Sequence, residues 1–437
     1  MGYLTLRMRA AAIVAAAVLG LVLMSSAAFA GSESSIDTGD TAWVLISSAL
    51  VLLMTPGLGL FYAGMVRRKN ALGTILQSFI MCGLASVIWV LWGYSLAFGS
   101  DIGGFVGSLE YIGLRGVGLE PQDGSTIPHQ AFMIFQAMFA IITPALITGA
   151  FAERIRFKAF FVFMILWLTL VYSPVAHWVW GPGGWLGELG ALDFAGGTVV
   201  HICSGVAALC CAIVIGRRKG YGREEFTPHN LTMTLVGTAL LWFGWFGFNA
   251  GSALAANGLA ANAFVVTNTS AATAALVWVF IEWWHRGKPT ALGFASGAVA
   301  GLVAITPAAG FVGPMAAIAM GAVVSGVCYL AIMMKGKLGY DDSLDVFGIH
   351  GVGGIWGAIG TGLFASAAIG GTSGLFAGNA ALVGKQIIAT VAVLGYSLVV
   401  TLVILKVISL FTPLRVGEDD EDAGLDLSQH GEVGYHF

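Results

Sequence analysis

Eleven apolar runs, separated by short polar connections, occupy most of the chain after residue 40. They lie at approximately 42–66, 72–98, 130–152, 158–180, 194–216, 230–251, 263–284, 291–308, 313–334, 346–367 and 382–410. A helix of about 20 apolar residues crosses the roughly 30 Å hydrocarbon layer of a bilayer, so each run is long enough to span it, some with tilt. The pattern predicts an all-α polytopic membrane protein with eleven transmembrane helices.

Basic residues concentrate in every second connection between these runs. They are Arg67, Arg68 and Lys69, then Arg154, Arg156 and Lys158, then Arg217, Arg218, Lys219 and Arg223, then Arg286 and Lys288, then Lys335 and Lys337. Because cytoplasmic loops carry the excess of Lys and Arg, this alternation places the mature N-terminus outside and the C-terminus inside. An even number of spans would break the alternation, so the charges also favour eleven.

The composition agrees with a membrane protein and excludes other classes. Of 437 residues, 57% are hydrophobic and 10% are charged, against roughly 25% charged residues in a soluble domain. The net charge of −3 leaves no basic footprint for nucleic acid. All five cysteines lie inside apolar runs, where we interpret them as small core residues without disulfides.

The two ends of the chain differ from the apolar middle. Residues 1–30 combine Arg7 and Arg9, an apolar stretch and a small-x-small motif at 28–30 (AFA), which predicts a cleavable signal peptide. An uncleaved first helix is the alternative. The transmembrane domain is expected at 31–410, and the cytoplasmic tail at 411–437. The acidic run 418–422 in that tail is typical of a solvated extension.

Two apolar runs pair an acid with a histidine. Asp193 precedes His201 in the fifth run, and Asp345 precedes His350 in the tenth. An interval of five spans reverses direction, so these two segments would cross the membrane in opposite senses. That arrangement indicates two inverted five-helix halves plus a final helix, with a site at their interface.

The chemistry of these residues leaves several interpretations open. An ionisable side chain inside a bilayer is costly, so it has a partner or lines a path. Each histidine could be a hydrogen-bonded packing residue, or the two could form a proton relay or a path for a small polar solute. Metal binding is a weaker alternative because neither motif supplies a third ligand. Asp193 could bind a cation, but its place at the start of a span favours capping of backbone amides, and Asp345 invites the same reading.

Aromatic residues gather at the external ends of the spans. Trp178 and Trp180 end the fourth run, Ser252 follows aromatic residues at the end of the sixth, and Phe135 and Phe139 lie near the start of the third at helical spacing. Most such tryptophans belong to the interfacial belt. An indole that faces a vestibule could instead attract a small cation over its ring.

Several stretches together resemble the ammonium transporter family, in its bacterial Amt form. They are 56–62 (PGLGLFY), 152–157 (AERIRF), 193–201 (DFAGGTVVH), 244–252 (GWFGFNAGS) and 345–351 (DVFGIHG). The resemblance runs from about residue 40 to the C-terminal end. It implies an eleven-helix protomer with inverted five-helix halves, assembled as a homotrimer in which each protomer has its own hydrophobic pore.

The resemblance also implies roles for individual residues. The positions that match the external ammonium recruitment site are Phe139, Trp180 and Ser252. Those that match the aromatic gate are Phe135, Phe139 and Phe248, those that match the pore histidines are His201 and His350, and the one that matches a structural aspartate is Asp193. The retained Trp180 and Ser252 favour Amt over the related Rhesus proteins. The tail resembles a region that meets a PII-type regulatory protein.

These observations favour a transporter that moves ammonium or methylammonium inward across the cytoplasmic membrane, without a cofactor. An ammonium sensor that signals through its tail with little flux is the alternative. An enzyme is disfavoured because the chain has no His-Glu-x-x-His pair and no nucleophile motif near either histidine. Water conduction is disfavoured because it has no Asn-Pro-Ala pair.

Overall fold

The computed structural model describes residues 36–122 and 124–435, and nearly all of the secondary structure in them is helical. The predicted signal peptide, 1–30, lies outside the described residues. The α-helices, numbered in chain order, are α1 Thr38–Met65, α2 Ala71–Ile88, α3 Tyr94–Phe98, α4 His129–Ile147, α5 Phe157–Trp167, α6 Ser173–Trp180, α7 Trp185–Leu189, α8 Cys203–Ile215, α9 Leu231–Gly251, α10 Gly258–Arg286, α11 Ala291–Ile305, α12 Pro314–Leu338, α13 Val352–Phe364, α14 Ala367–Gly370, α15 Ala380–Ser409, α16 Glu418–Ala423 and α17 Leu425–His430.

Short irregular elements connect or extend these helices. Wide π-turns are Trp89–Gly93, Leu168–Tyr172, Gly197–Ile202 and Phe347–Gly351, and 3₁₀ turns are Arg68–Asn70, Ile112–Leu114, Thr148–Ala150 and Leu375–Ala377. One hairpin, β1 Asp101–Ile102 and β2 Val106–Gly107, pairs antiparallel with Asp101 opposite Gly107. π-Helical segments are rare in proteins, and those that occur are often at functional sites. Two of the segments here carry His201 and His350, which makes these histidines candidates for a functional site.

The prediction of an all-α polytopic membrane protein is confirmed. Within the described residues, nine helical stretches are long and apolar enough to cross a membrane. The eighth predicted run corresponds to α11, which has only 15 residues. The tenth corresponds to the π-turn Phe347–Gly351 followed by α13. The count of eleven spans therefore stays a prediction.

Glycines let α1 and α9 pack backbone to backbone. A Cβ at Gly237 of α9 would lie 2.3 Å from the backbone nitrogen of Phe61 in α1, and a Cβ at Gly57 of α1 would lie 2.9 Å from the Cβ of Leu240. In lipid, where helices gain no hydrophobic drive toward one another, such close contact supplies the van der Waals energy of association. Since α1 is the first helix of the first predicted five-helix half and α9 is the first helix of the second, this contact holds the two halves together.

The tail folds back onto the rest of the chain, although Glu418, Asp419 and Asp422 of its acidic run stay exposed. Glu421 and Asp426 are 1% and 3% exposed. Glu421 accepts from the backbone nitrogen of Lys219 at 2.6 Å and pairs with Arg415 at 2.6 Å. Asp426 accepts from the backbone nitrogen of Gly73 at 2.7 Å, in the first turn of α2. The acids fold back because the basic connections and a free helix N-terminus supply partners.

Candidate functional site: a pore between the two halves

The outer end of the site is an aromatic vestibule. Trp180 ends α6, Phe139 lies in the middle of α4, and Ser252 follows α9, so three separate helices bring these residues to one cavity of about 190 Å³. The residues that line it are Phe98, Phe132, Gln136, Phe139, Trp180, Phe194, Ser252 and Leu254. All three residues predicted from the sequence to bind substrate therefore face the same space.

Hydrogen bonds hold the polar parts of this vestibule in place. The indole nitrogen of Trp180 donates to the backbone oxygen of Asp193 at 2.9 Å, and its ring stands edge-on to Phe139 with centroids 5.7 Å apart. The Ser252 hydroxyl donates to the backbone oxygen of Phe248 at 2.9 Å. Because that bond uses the only proton of the hydroxyl, its lone pairs are left to accept from a ligand.

Two phenyl rings close the floor of the vestibule. The rings of Phe139 and Phe248 lie 4.5 Å apart, tilted by 47°, and Phe135 packs edge-on against Phe139 at 5.1 Å. Each of the three is at most 1% exposed. Phenyl rings offer no hydrogen-bond partner, so a solute that passes between Phe139 and Phe248 must leave its water behind.

The two histidines lie below this gate and face each other. Their rings are nearly parallel with centroids 5.3 Å apart, and the Nδ1 atoms are 3.2 Å apart, so one of these nitrogens donates to the other. Nε2 of His201 is buried without a hydrogen-bond partner among the described residues. The lumen around them has a cavity volume of about 10 Å³, close to what one water-sized molecule needs.

Apolar side chains surround the imidazoles on all other sides. The residues that line the lumen with His201 and His350 are Met54, Leu58, Phe61, Ile142, Leu146, Val200, Leu241, Trp245, Phe248 and Val299. The ring of Trp245 stacks on His201 with centroids 5.4 Å apart and donates its own N–H to the Thr306 hydroxyl at 2.9 Å. The histidines therefore supply the only ring nitrogens in this lining that a polar solute could meet.

Asp193 caps the start of the histidine segment, as the sequence predicted. Its Oδ1 accepts from the backbone nitrogens of Gly196 and Gly197 at 2.7 and 2.6 Å, and its Oδ2 from that of Thr198 at 2.7 Å. The Thr198 hydroxyl also donates to Oδ2, and the backbone nitrogen of Val199 lies at 3.3 Å. Burial raises the pKa of Asp193, and these donors oppose the rise. Both carboxylate oxygens are committed within the protein, so this geometry serves structure.

The comparisons with known proteins identify the family of the chain. Residues 42–435 fit the model of the Ammonium Transporter Family. The chain belongs to that family. It is 56% identical over 403 residues to an ammonium transporter of Bacillus subtilis, covering 91% of this chain and 98% of the relative. It is 52% identical over 397 residues to the Archaeoglobus fulgidus ammonium transporter Amt1, with 91% and 99% covered. The crystal structure of Candida albicans Mep2 superposes with a TM-score of 0.84 at 38% identity, covering 92% and 91% of the two chains.

The second half of this ammonium transporter family member corrects one residue of the sequence interpretation. Asp345 does not cap the tenth segment: it pairs with the Lys335 ammonium group, and its backbone has a φ of 61°. The cap is Asp342, whose Oδ2 accepts from the backbone nitrogen of Phe347 at 2.8 Å. The signal was present in the sequence, because Asp342 precedes His350 by the same eight positions that separate Asp193 from His201.

Glycines bring the two histidine segments of the transporter together. A Cβ at Gly205 would lie 2.2 Å from the backbone nitrogen of Gly351, next to His350. A Cβ at Gly354 would lie 3.0 Å from the Cβ of His201. Each glycine follows its own histidine by four positions, one helical turn. The segments therefore cross where neither has a side chain, and this crossing sets the imidazoles in contact.

The sequence analysis missed Gln136 in the vestibule of the transporter. Its side-chain oxygen is buried, has no hydrogen-bond partner among the described residues, and the residue lines the vestibule next to Phe139. An amide oxygen without a partner is an acceptor that a cation with N–H donors can satisfy. The available signal was a single uncharged polar residue in the apolar stretch 131–142.

Proposed function

We propose that this protein moves ammonium inward across the cytoplasmic membrane, with recruitment at the aromatic vestibule, loss of a proton at the phenyl gate and passage of ammonia along the histidines. The observation that carries the proposal is the continuous order of Trp180 and Ser252, then Phe139 with Phe248, then the His201–His350 pair. The names of the relatives, which are ammonium transporters, support the substrate.

The vestibule suits a small cation with hydrogen to donate. Trp180 and Phe139 present aromatic rings to the cavity, and a cation over an indole gains about 2 kcal/mol when it is desolvated. The Ser252 hydroxyl and the Gln136 amide oxygen supply acceptors. Potassium would gain the ring attraction but could not donate hydrogen bonds to these oxygens.

The gate separates the charged form from the neutral one. Transfer of an unpaired ammonium ion into an apolar medium costs tens of kcal/mol by Born solvation, so the ion releases its proton rather than pass the phenyl rings charged. Ammonia then enters a lumen whose ring nitrogens can accept and donate hydrogen bonds. The Nδ1–Nδ1 contact lets a proton move from one imidazole to the other within the lumen.

The surrounding assembly is part of the proposal. We expect eleven spans with the mature N-terminus outside and the C-terminus inside, because the basic connections alternate. We also expect a homotrimer with one pore in each protomer, and a PII-type regulatory protein at the cytoplasmic face, where α16 and α17 lie against the basic connections. A sensor with little flux receives less support, since the relatives with about half of their residues in common are named transporters.

Uptake of methylammonium by cells tests the recruitment step. Trp180→Leu removes the ring that faces the vestibule and the indole bond to Asp193, so the external concentration for half-maximal uptake should rise about ten-fold or more. Trp178→Leu is the matched control: that indole lies on the same helix but donates to the backbone oxygen of Phe105, outside the vestibule. It should leave the half-saturation concentration unchanged once uptake is normalised to the amount of protein. An unchanged value for Trp180→Leu would assign Trp180 to the interfacial belt.

A further inference from the structure

A third cavity lies at the cytoplasmic end of the fold, away from the vestibule and the histidine lumen. It is an open groove between the end of α8 and the end of α15, with a volume of about 560 Å³. The residues that line it are Val214, Ile215, Leu402, Lys406, Ser409, Pro413, Leu414 and Arg415. No step of the proposed transport uses these residues.

The groove is apolar along its length and cationic at one end. Val214 and Leu402 are 42% and 39% exposed on the outer surface of their helices, where such exposure is expected of side chains that face lipid. Lys406, Ser409 and Arg415 follow toward the end of α15 and beyond it, on the side of the basic connections. An apolar wall that ends at two cations is complementary to a lipid whose acyl chain lies on the wall and whose anionic headgroup lies at the cations.

The cations of the groove are not fully neutralised by the protein. Arg415 donates to the backbone oxygen of Arg217 at 2.6 Å and pairs with Glu421 at 2.6 Å. Lys406 is exposed, and its ammonium group makes no hydrogen bond or ion pair with a described residue, although its backbone oxygen accepts from the Ser409 hydroxyl at 2.7 Å. One carboxylate thus pairs with one of the two cations, and an anion at this end would find the unpaired ammonium group of Lys406 within the same cavity as Arg415.

We propose that this groove binds an anionic phospholipid of the cytoplasmic leaflet. The phosphate lies at Lys406 and Arg415, and an acyl chain lies along Val214 and Leu402. Lipid is favoured over free phosphate because half of the groove is apolar and opens at the level of the membrane surface, where a soluble anion would leave those side chains against water.

The site reaches the docked tail through Arg415. The backbone around this residue is tied to the connection between α4 and α5, since the backbone nitrogen of Val416 donates to the oxygen of Arg154 at 3.0 Å and Arg156 donates to that of Leu414 at 2.8 Å. A lipid phosphate shares Arg415 with Glu421, so occupancy of the groove is coupled to the contact that holds α16.

Native mass spectrometry of the delipidated full-length protein, titrated with phosphatidylglycerol, tests the site. Removal of one cation should weaken the tightest binding step about five-fold, so Lys406→Gln should show that loss. Lys337→Gln is the matched control, because it removes an exposed cytoplasmic lysine at the end of α12, outside the groove. The wild type should bind phosphatidylcholine more weakly than phosphatidylglycerol.

Two further measurements test the acyl-chain contact and the choice of lipid over free phosphate. Leu402→Ser, which keeps both cations, should also weaken phosphatidylglycerol binding if the acyl chain lies on this wall. Millimolar inorganic phosphate should not displace the lipid. Equal binding by wild type and Lys406→Gln, an effect of Lys337→Gln as large as that of Lys406→Gln, or displacement by inorganic phosphate would each overturn a phospholipid site in this groove.

Discussion

The two histidine segments have the same frame but different polar contacts. Asp193, His201 and a glycine at 205 recur with identical spacing as Asp342, His350 and a glycine at 354. Asp193 commits both of its oxygens to donors in the following turn. Asp342 commits one, and its Oδ1 is buried without a partner among the described residues. The same spacing of residues therefore holds the Asp193 carboxylate by both oxygens and the Asp342 carboxylate by only one.

One substitution explains much of this difference. The fifth residue after the aspartate is Thr198 in the first half and Phe347 in the second. Thr198 donates both its backbone nitrogen and its hydroxyl to Asp193, whereas Phe347 has only its backbone nitrogen to give to Asp342. The pair shows that inverted halves can share geometry and still diverge in chemistry.

Substitutions where the two histidine segments cross should have the largest effects on uptake and stability. Gly205→Ala places a methyl group 2.2 Å from a backbone nitrogen, which no rotamer can relieve, so uptake and folded protein should fall to near zero. Gly354→Ala meets its nearest atoms at 3.0 Å and should cost about 1–3 kcal/mol. Uptake and thermal stability of both variants in detergent check this order, and equal loss in both would contradict the asymmetry.

The carboxylates should respond unequally to replacement by asparagine. In Asp193→Asn an amide NH₂ replaces an oxygen that backbone donors approach, so charge-assisted bonds worth about 1.5–3 kcal/mol each are lost. In Asp342→Asn the amide oxygen can keep the bond from Phe347. Thermal unfolding in detergent should show a large fall for the first variant and little or no fall for the second. The reverse order would show that Asp342 is the constrained carboxylate.

The third expected effect is a pH dependence specific to the second half. Burial, with an opposing contribution from Lys335, raises the pKa of Asp342 to about 6, above the unfolded value of about 3.9. The folded state then holds this proton at higher pH than the unfolded state does, so the free energy of unfolding falls as pH rises from about 4 to about 6 and is constant above.

The size of that slope follows from the shift. Two pKa units correspond to roughly 3 kcal/mol at most, and Asp342→Asn should remove this part of the pH dependence between pH 4 and 7. Thermal unfolding of wild type and variant across that range, compared as a difference, cancels the other acids. Identical pH profiles would mean that Asp342 titrates as an ordinary carboxyl group.

The apolar pattern predicted much of the fold because the bilayer leaves few alternatives to long helices. The apolar pattern did not predict that Asp342, rather than Asp345, is the cap, since both acids stand near the start of the run; the eight-residue spacing to the histidine carried that signal instead. The docked tail was also missed. Within the acidic run 418–422, Glu421 is buried because the fold brings the backbone of Lys219 and the side chain of Arg415 beside it.

The sequence pointed to some residues of the vestibule but not to all of them. Trp180, Phe139 and Ser252 carried motif or end-of-span signals, and the structure brings them to one cavity. Gln136 had no such signal, because a single amide in an apolar helix becomes informative only when its neighbours leave its oxygen without a partner. Whether a buried polar side chain has a hydrogen-bond partner depends on tertiary contacts, which the spacing of apolar residues along the chain does not determine.

Flux and current recorded together on proteoliposomes test the central claim most directly, with wild type, His201→Ala and His350→Ala reconstituted in equal amounts. An inward ammonium gradient should drive saturable flux in the wild type that potassium does not replace. Each histidine variant should lose that flux or change the species carried, because the lumen loses its ring nitrogens. Unaltered flux together with unaltered current in both variants would contradict passage along the histidine pair.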